Sequence, residues 1–120
     1  MKQQTIISSF INAFNGLANF FVRDRNGRIE FCAAVIAISF GFWLHISAVE
    51  WMAVLLCIGA VISLEMLNSA VEKLCDMVHA EYHPIIKVIK DIAAGAVLFA
   101  SMISVIIACI IFLPKLFLVL

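Results

Sequence analysis

Charge almost vanishes from two long stretches of this chain. From Phe31 to Leu64 the single formal charge is Glu50, and from Ile92 to Leu120 it is Lys115. Apolar segments near or beyond about 18 residues with so little charge read as membrane spans. The rest of the charge falls in residues 2–30 and 65–91, so charged and apolar zones alternate. The composition, 65% hydrophobic and 13% charged, argues against a water-soluble fold, and 120 residues suffice for one domain. The pattern predicts an all-α integral membrane protein, a single domain over 1–120. An amphipathic surface helix at 5–22 precedes three transmembrane spans at 31–49, 51–72 and 92–113. The net charge is zero, and nothing suggests a nucleic-acid partner.

Between residues 5 and 22, Ile6, Ile7, Phe10, Ile11, Phe14, Leu17, Ala18, Phe21 and Val22 recur at one-face helical spacing. The opposite face carries Ser8, Ser9, Asn12, Asn15 and Asn19, so a helix packed on the bundle and lying in the membrane interface is expected. "RDRNGRIE" at 23–30 reads as a charged turn broken at Asn26-Gly27. "HISAVEW" reads as a short polar link, with Trp43 and Trp51 as interfacial anchors. Pro84 marks a break or a helix start, and Pro114 with Lys115 closes the third span. Cys32, Cys57, Cys75 and Cys109 lack any metal or disulfide spacing and read as structural. The first residues do not read as a signal peptide. Arg23, Arg25 and Arg28 precede the first span, and Lys73, Lys87 and Lys90 separate the second from the third. The positive-inside rule then places the N-terminus and the 73–91 loop in the cytoplasm.

Against this background "LEMLNSAVEKLCD" at 64–76 stands out. A helix turns about 100° per residue, which puts Glu65, Asn68, Ser69, Glu72 and Asp76 on one stripe about 100° wide. Glu65 lies about 21 Å along the helix from Trp51, inside a hydrocarbon layer of about 30 Å, and Glu72 reaches the far interface. An ionisable group at membrane depth is a functional-site hypothesis. The plainer reading is that these groups satisfy one another and hold helices together. That reading leaves unexplained why several acids gather with no base at comparable depth. Glu72 and Asp76 suit a hard divalent cation such as Mg²⁺. Glu65 suits a general base for a hydroxyl arriving from the membrane. Lys90 offers a point charge for a phosphate, with Asp91 beside it. Together these groups describe phosphoryl transfer from a nucleotide to a lipid alcohol, in a chain with no Walker-type or kinase glycine loop.

The pattern from Glu65 to Asp76, "EYH" at 81–83 and "KD" at 90–91 resembles the small bacterial integral-membrane diacylglycerol kinases. The likeness includes "FNGL" at 14–17 and the "RDRNGRIE" turn, and "HISAVEW" and "KVIKDIAAGAVLFAS" are most similar to the undecaprenol kinase branch. The resemblance implies a homotrimer in the bacterial cytoplasmic membrane whose active sites are shared between subunits and face the cytoplasm. It implies ATP as donor, Mg²⁺ as cofactor, and undecaprenol or diacylglycerol as acceptor. Glu65 would be the catalytic base. Asp24, where the family usually has Glu, and Glu72 would hold the metal. Glu81, Tyr82, His83, Lys90 and Asp91 would contact the nucleotide, while Asn68, Ser69, Asp76 and Glu30 support the site. Thr5 and Asn12 stand where some members carry ATP contacts, and those contacts are not carried over.

Other readings stand beside these. His83 alone would be an exposed loop histidine, and Glu30 could pair with Arg28 or Lys90 instead of serving the site. Gly95 and its small neighbours would permit close helix approach. An alternative function is a small proton-coupled membrane transporter cycling protons on Glu65. Three spans instead of four, and acids gathered at the nucleotide-accessible end, count against it.

Overall fold

The computed structural model describes residues 5–120; positions 1–4 of the expected domain lie outside the described residues. Four helices follow one another: α1 (Ile6–Arg23), α2 (Arg25–Trp43), α3 (Ala48–Val78) and α4 (Pro84–Val119).

One residue makes the first corner. The Asp24 N–H donates to the Phe20 carbonyl at the end of α1. Its side chain accepts from the Asn26 N–H at 3.1 Å as the N-cap of α2. The breaker is therefore Asp24, and Asn26 and Gly27 lie inside the first turn of α2, not in a loop. Gly27 is there for space: a Cβ would stand 2.1 Å from the Phe20 carbonyl oxygen. Arg28 tightens the corner by donating from Nη1 to the Val22 carbonyl at 2.9 Å.

At the opposite end the expected span to residue 49 is cut short. α2 stops at Trp43, His45 takes a positive φ of 52°, and Ser47 and Glu50 form a reciprocal capping box that starts α3 at Ala48. Gly41 admits the Trp51 ring, whose Cη2 would lie 2.6 Å from a Cβ there. A small apolar cluster of Leu44, Ile46, Val54 and Ile111 closes this end. Pro84 starts α4 at its first position, where its missing N–H is no loss. Pro114 does not close the last helix, which runs on to Val119. One reason is at hand: Lys115, one residue on, is tied to Glu50 at 3.2 Å. The lone charges of the two apolar zones are each other's partners.

Asp24 meets α3 at Ser69 and Lys73, Lys90 meets it at Asp76, and Lys115 meets it at Glu50. α2 and α4 thus run antiparallel to α3, with both charged zones at one end. α3 and α4 are each long and apolar enough to cross a membrane, yet only 28% and 11% of their most apolar windows are buried. Core helices of a soluble protein would be mostly buried, so these apolar faces are built for lipid or other chains. α2 is not a third helix of this kind, since Arg25, Arg28 and Glu30 occupy its first turns and it ends at Trp43. On α1 the side chains of Ile6, Ile7, Phe10, Ile11 and Phe14 are all exposed.

Candidate active site

The buried polar residues of the described chain are Glu65, Asn68 and Ser69, on the inner face of α3, each no more than 7% exposed. Their burial follows from the stripe: the face that turns these three inward also turns Val54 and Val61 inward, toward α2 and α4. Asn68 donates from Nδ2 to Glu72 Oε1 at 3.2 Å, one turn on. Its Oδ1 is buried with no partner. A buried acceptor without a donor is costly, so this atom marks a place for a hydrogen-bond donor from outside the chain.

Asp24 reaches α3 from the corner between α1 and α2. Ser69 Oγ donates to Asp24 Oδ2, and Lys73 Nζ lies 2.9 Å from Ser69 Oγ and 3.4 Å from Asp24 Oδ2. The Ser69 hydroxyl, with help from the Asn26 N–H and Lys73, holds the Asp24 carboxyl below its ordinary value against the opposing effect of burial. Asn26 also sends its side chain to Glu65, and Glu30, Glu72 and Asp24 are all near enough to act on Glu65 through charge. Four carboxylates thus share the inner end of α3.

Glu30 forms no ion pair among the described residues, contrary to the pairing with Arg28 or Lys90 weighed above: Arg28 serves the α1 terminus and Lys90 binds Asp76. Glu30 instead sits on an apolar groove of about 300 Å³ between α2, α3 and α4, walled by Ala33, Ala37, Ile58, Val61 and Val105.

Glu81, Tyr82, His83, Lys90 and Asp91 all line a second groove, also of about 300 Å³, at the start of α4. Lys90 Nζ contacts Asp76 Oδ1 at 2.6 Å, and Lys87 Nζ contacts Asp91 Oδ2 at 2.6 Å. Asp76, the foremost cause, and Glu72 raise the Lys90 pKa, which keeps it cationic. His83 is more than a loop histidine: its Nδ1 accepts from the Ile85 N–H at 3.1 Å and caps α4, leaving Nε2 for another partner. This groove and the Asp24–Glu65 cluster do not merge. Asp76 and Lys90 stand about three helical turns from Glu65. Among the described residues no three His, Cys, Asp or Glu side chains come together to hold a metal ion. Asp24, at the corner before α2, and Glu72, on α3, remain as two hard oxygen donors.

Residues 11–112 match the model of the prokaryotic diacylglycerol kinase family. The chain belongs to that family. It is 42% identical over 108 residues to the undecaprenol kinase of Bacillus subtilis, spanning 90% of this chain and 88% of that protein. It is 37% identical over 112 residues to a diacylglycerol kinase of Synechocystis, spanning 92% of this chain and 64% of that protein. With the diacylglycerol kinase of Escherichia coli it shares 30% over 105 residues, 88% of this chain and 86% of that protein. These relatives are lipid kinases by name. The match to the prokaryotic diacylglycerol kinase family covers the Asp24 corner, the whole of α3 and the Lys90 groove.

Two residues of the site were not singled out by sequence reasoning. Lys73 follows Ser69 by four residues, a spacing that places both on neighbouring turns and could have suggested the contact. Asn26 was read as a turn-former, and only the placement of Asp24 as a cap shows that it faces α3.

Proposed function

We propose that this chain transfers the γ-phosphoryl group of ATP to a membrane lipid alcohol, with Mg²⁺, at the cytoplasmic face of a bacterial membrane. The observation that carries this reading is the meeting of Asp24 with the buried Glu65–Asn68–Ser69–Glu72 stripe at the end of α3 that also holds Lys90. Glu65 accepts the proton of the lipid hydroxyl as its oxygen attacks the γ-phosphorus, and ADP leaves. Asp24 and Glu72 are the residues that would hold Mg²⁺. Two carboxylates with water and phosphate oxygens suit that ion. When bound, the metal neutralises charge on the phosphate oxygens. Lys90 places a cation for the phosphates, and the groove of Glu81, Tyr82 and His83 receives the nucleoside. Asn68 orders Glu72, and its free Oδ1 accepts from a metal-bound water or the substrate. Catalysis is then mainly positioning and electrostatic stabilisation.

The lipid side of the reading rests on the apolar groove that begins at Glu30. Glu30, which acts on Glu65 through charge, lines it with alanines and branched aliphatics, fit for a hydrocarbon chain. The higher identity to an undecaprenol kinase favours a polyprenol over diacylglycerol as acceptor. The architecture proposed is a single membrane domain in which α2 joins α3 and α4 as a third span and α1 lies in the interface as an amphipathic surface helix. Three such chains form a homotrimer that shares its sites and shields the exposed apolar faces.

The test uses purified protein in lipid vesicles with radiolabelled ATP, supplied with undecaprenol and diacylglycerol side by side. Label should enter an extractable lipid only with Mg²⁺ present, and more of it from undecaprenol. Glu65→Gln should lower turnover by about 10²–10⁴-fold, as loss of a general base does. Normal turnover in that variant would remove Glu65 from the chemistry.

A further inference from the structure

Asp24 has no free oxygen in this structure. Oδ1 accepts from the Asn26 N–H as the cap of α2, while Oδ2 accepts from Ser69 Oγ and faces Lys73 Nζ at 3.4 Å. Since the Ser69 hydroxyl spends its one proton on Asp24, it can only accept from Lys73, 2.9 Å away. The ammonium of Lys73 therefore contacts both members of the pair. Its side chain is 70% exposed and hangs from the last turns of α3, whereas Asp24 is 16% exposed. The carboxylate is fixed, and the cation on it can leave.

A second cation arriving at Asp24 cannot share that oxygen with Lys73 cheaply. Two positive charges held that close repel each other. The lysine stem is long and flexible and ends in a compact point charge. No acid other than Asp24 is paired with Lys73 among the described residues. Asp76, one turn on, is already held by Lys90, so the phosphate oxygens that accompany the metal offer the displaced ammonium a new partner.

We propose that Lys73 is a latch and a positioning residue: it neutralises and orients Asp24 while the site is empty, then moves onto the nucleotide phosphates when the metal takes its place. This rests on the metal–nucleotide reading above. It makes Lys73 the counter-ion that keeps the four-acid end of α3 intact before ATP arrives. It also gives the metal a barrier to binding without its nucleotide, since only the nucleotide offers the displaced ammonium a new partner.

The test follows Mn²⁺ in place of Mg²⁺ by electron paramagnetic resonance, on the full chain in detergent or vesicles, with and without a non-hydrolysable ATP analogue. Lys73→Met should bind Mn²⁺ alone about tenfold more tightly and the metal–analogue complex about tenfold more weakly. A lysine with a merely structural role would move both affinities in the same direction. Lys73→Arg keeps the cation and should fall between the wild type and Lys73→Met in both measurements. In an Asp24→Asn background, Lys73→Met should no longer change the affinity for Mn²⁺ alone. If Lys73→Met leaves Mn²⁺ affinity unchanged, or weakens it, the latch is wrong. If wild-type protein binds neither Mn²⁺ nor its complex and labels no lipid, the kinase reading fails with it.

Discussion

At the scale of single residues, the site is a set of acids kept in place by neutral donors. Ser69 is the clearest case. Its hydroxyl bonds Asp24, and with the Asn26 N–H and Lys73 it keeps that carboxyl below its ordinary value of 3.8. A group whose folded pKa is depressed contributes stability that is complete above the ordinary value and is lost as pH falls through the folded one. Ser69→Ala removes the largest of these causes and brings the two values closer. In detergent, the thermal midpoint of the wild type should fall more steeply than that of Ser69→Ala between about pH 5 and about pH 2. At neutral pH the variant should be less stable by about 1.5–3 kcal/mol, the worth of a hydrogen bond to a charged group. Parallel curves in acid would mean that the hydroxyl does not hold the charge. The stripe itself was legible in the sequence because helical spacing alone puts Glu65, Asn68, Ser69 and Glu72 on one face. The family resemblance puts Asp24 beside Glu72, but helical spacing does not show its bond to Ser69, because a contact between residues 24 and 69 depends on where two helices cross.

At the scale of elements, the two charged zones and two apolar zones were enough to find the helices, and the errors lie at their ends. The link expected at 45–51 is present but runs over 44–47, with Leu44 and Ile46 turned into the small core there. Pro114 reads as a stop, yet a proline costs a helix one hydrogen bond and a clash, which packing can override. Asn26-Gly27 reads as a turn, though the space that Gly27 gives up lets α2 start against the Phe20 carbonyl. Gly27→Ala should therefore push α1 away from α2, because the atom in the way is backbone oxygen and cannot rotate aside. Overpacking of this kind costs about 1–3 kcal/mol, read as a lowered unfolding midpoint. Turnover should fall as well, because Asp24 sits between the two helices. Gly16→Ala is the matched control: nothing lies within 4 Å of a Cβ at Gly16, and alanine is the better helix former. Equal losses in both variants would show that helix propensity, not the corner, is at stake.

At the scale of the whole molecule, charge is distributed between the two ends in a way that bears on orientation. Near one end lie Arg23, Arg25, Arg28, Lys73, Lys87 and Lys90. At the other end, Lys115 is cancelled by Glu50 at 3.2 Å. The positive-inside rule counts six cations at the first end against Lys115 at the second. The same arrangement puts all four clustered acids and the groove of Glu81–Asp91 at the cation-rich end. Direct labelling checks it, in a chain whose four cysteines are replaced by alanine or serine and then given one new cysteine. Ala48 opens α3 beside the Glu50–Lys115 pair, and Met77 lies exposed at its last turn, two residues before His79 of the groove at the start of α4. In intact cells, Ala48→Cys should react with a membrane-impermeant maleimide. Met77→Cys should react only after the membrane is opened. At about 1.5 Å per residue the two positions lie about 44 Å apart along α3, more than a hydrocarbon layer of about 30 Å. The reverse pattern would put the acids outside, away from ATP, and labelling of both from one side would mean that α3 does not cross at all.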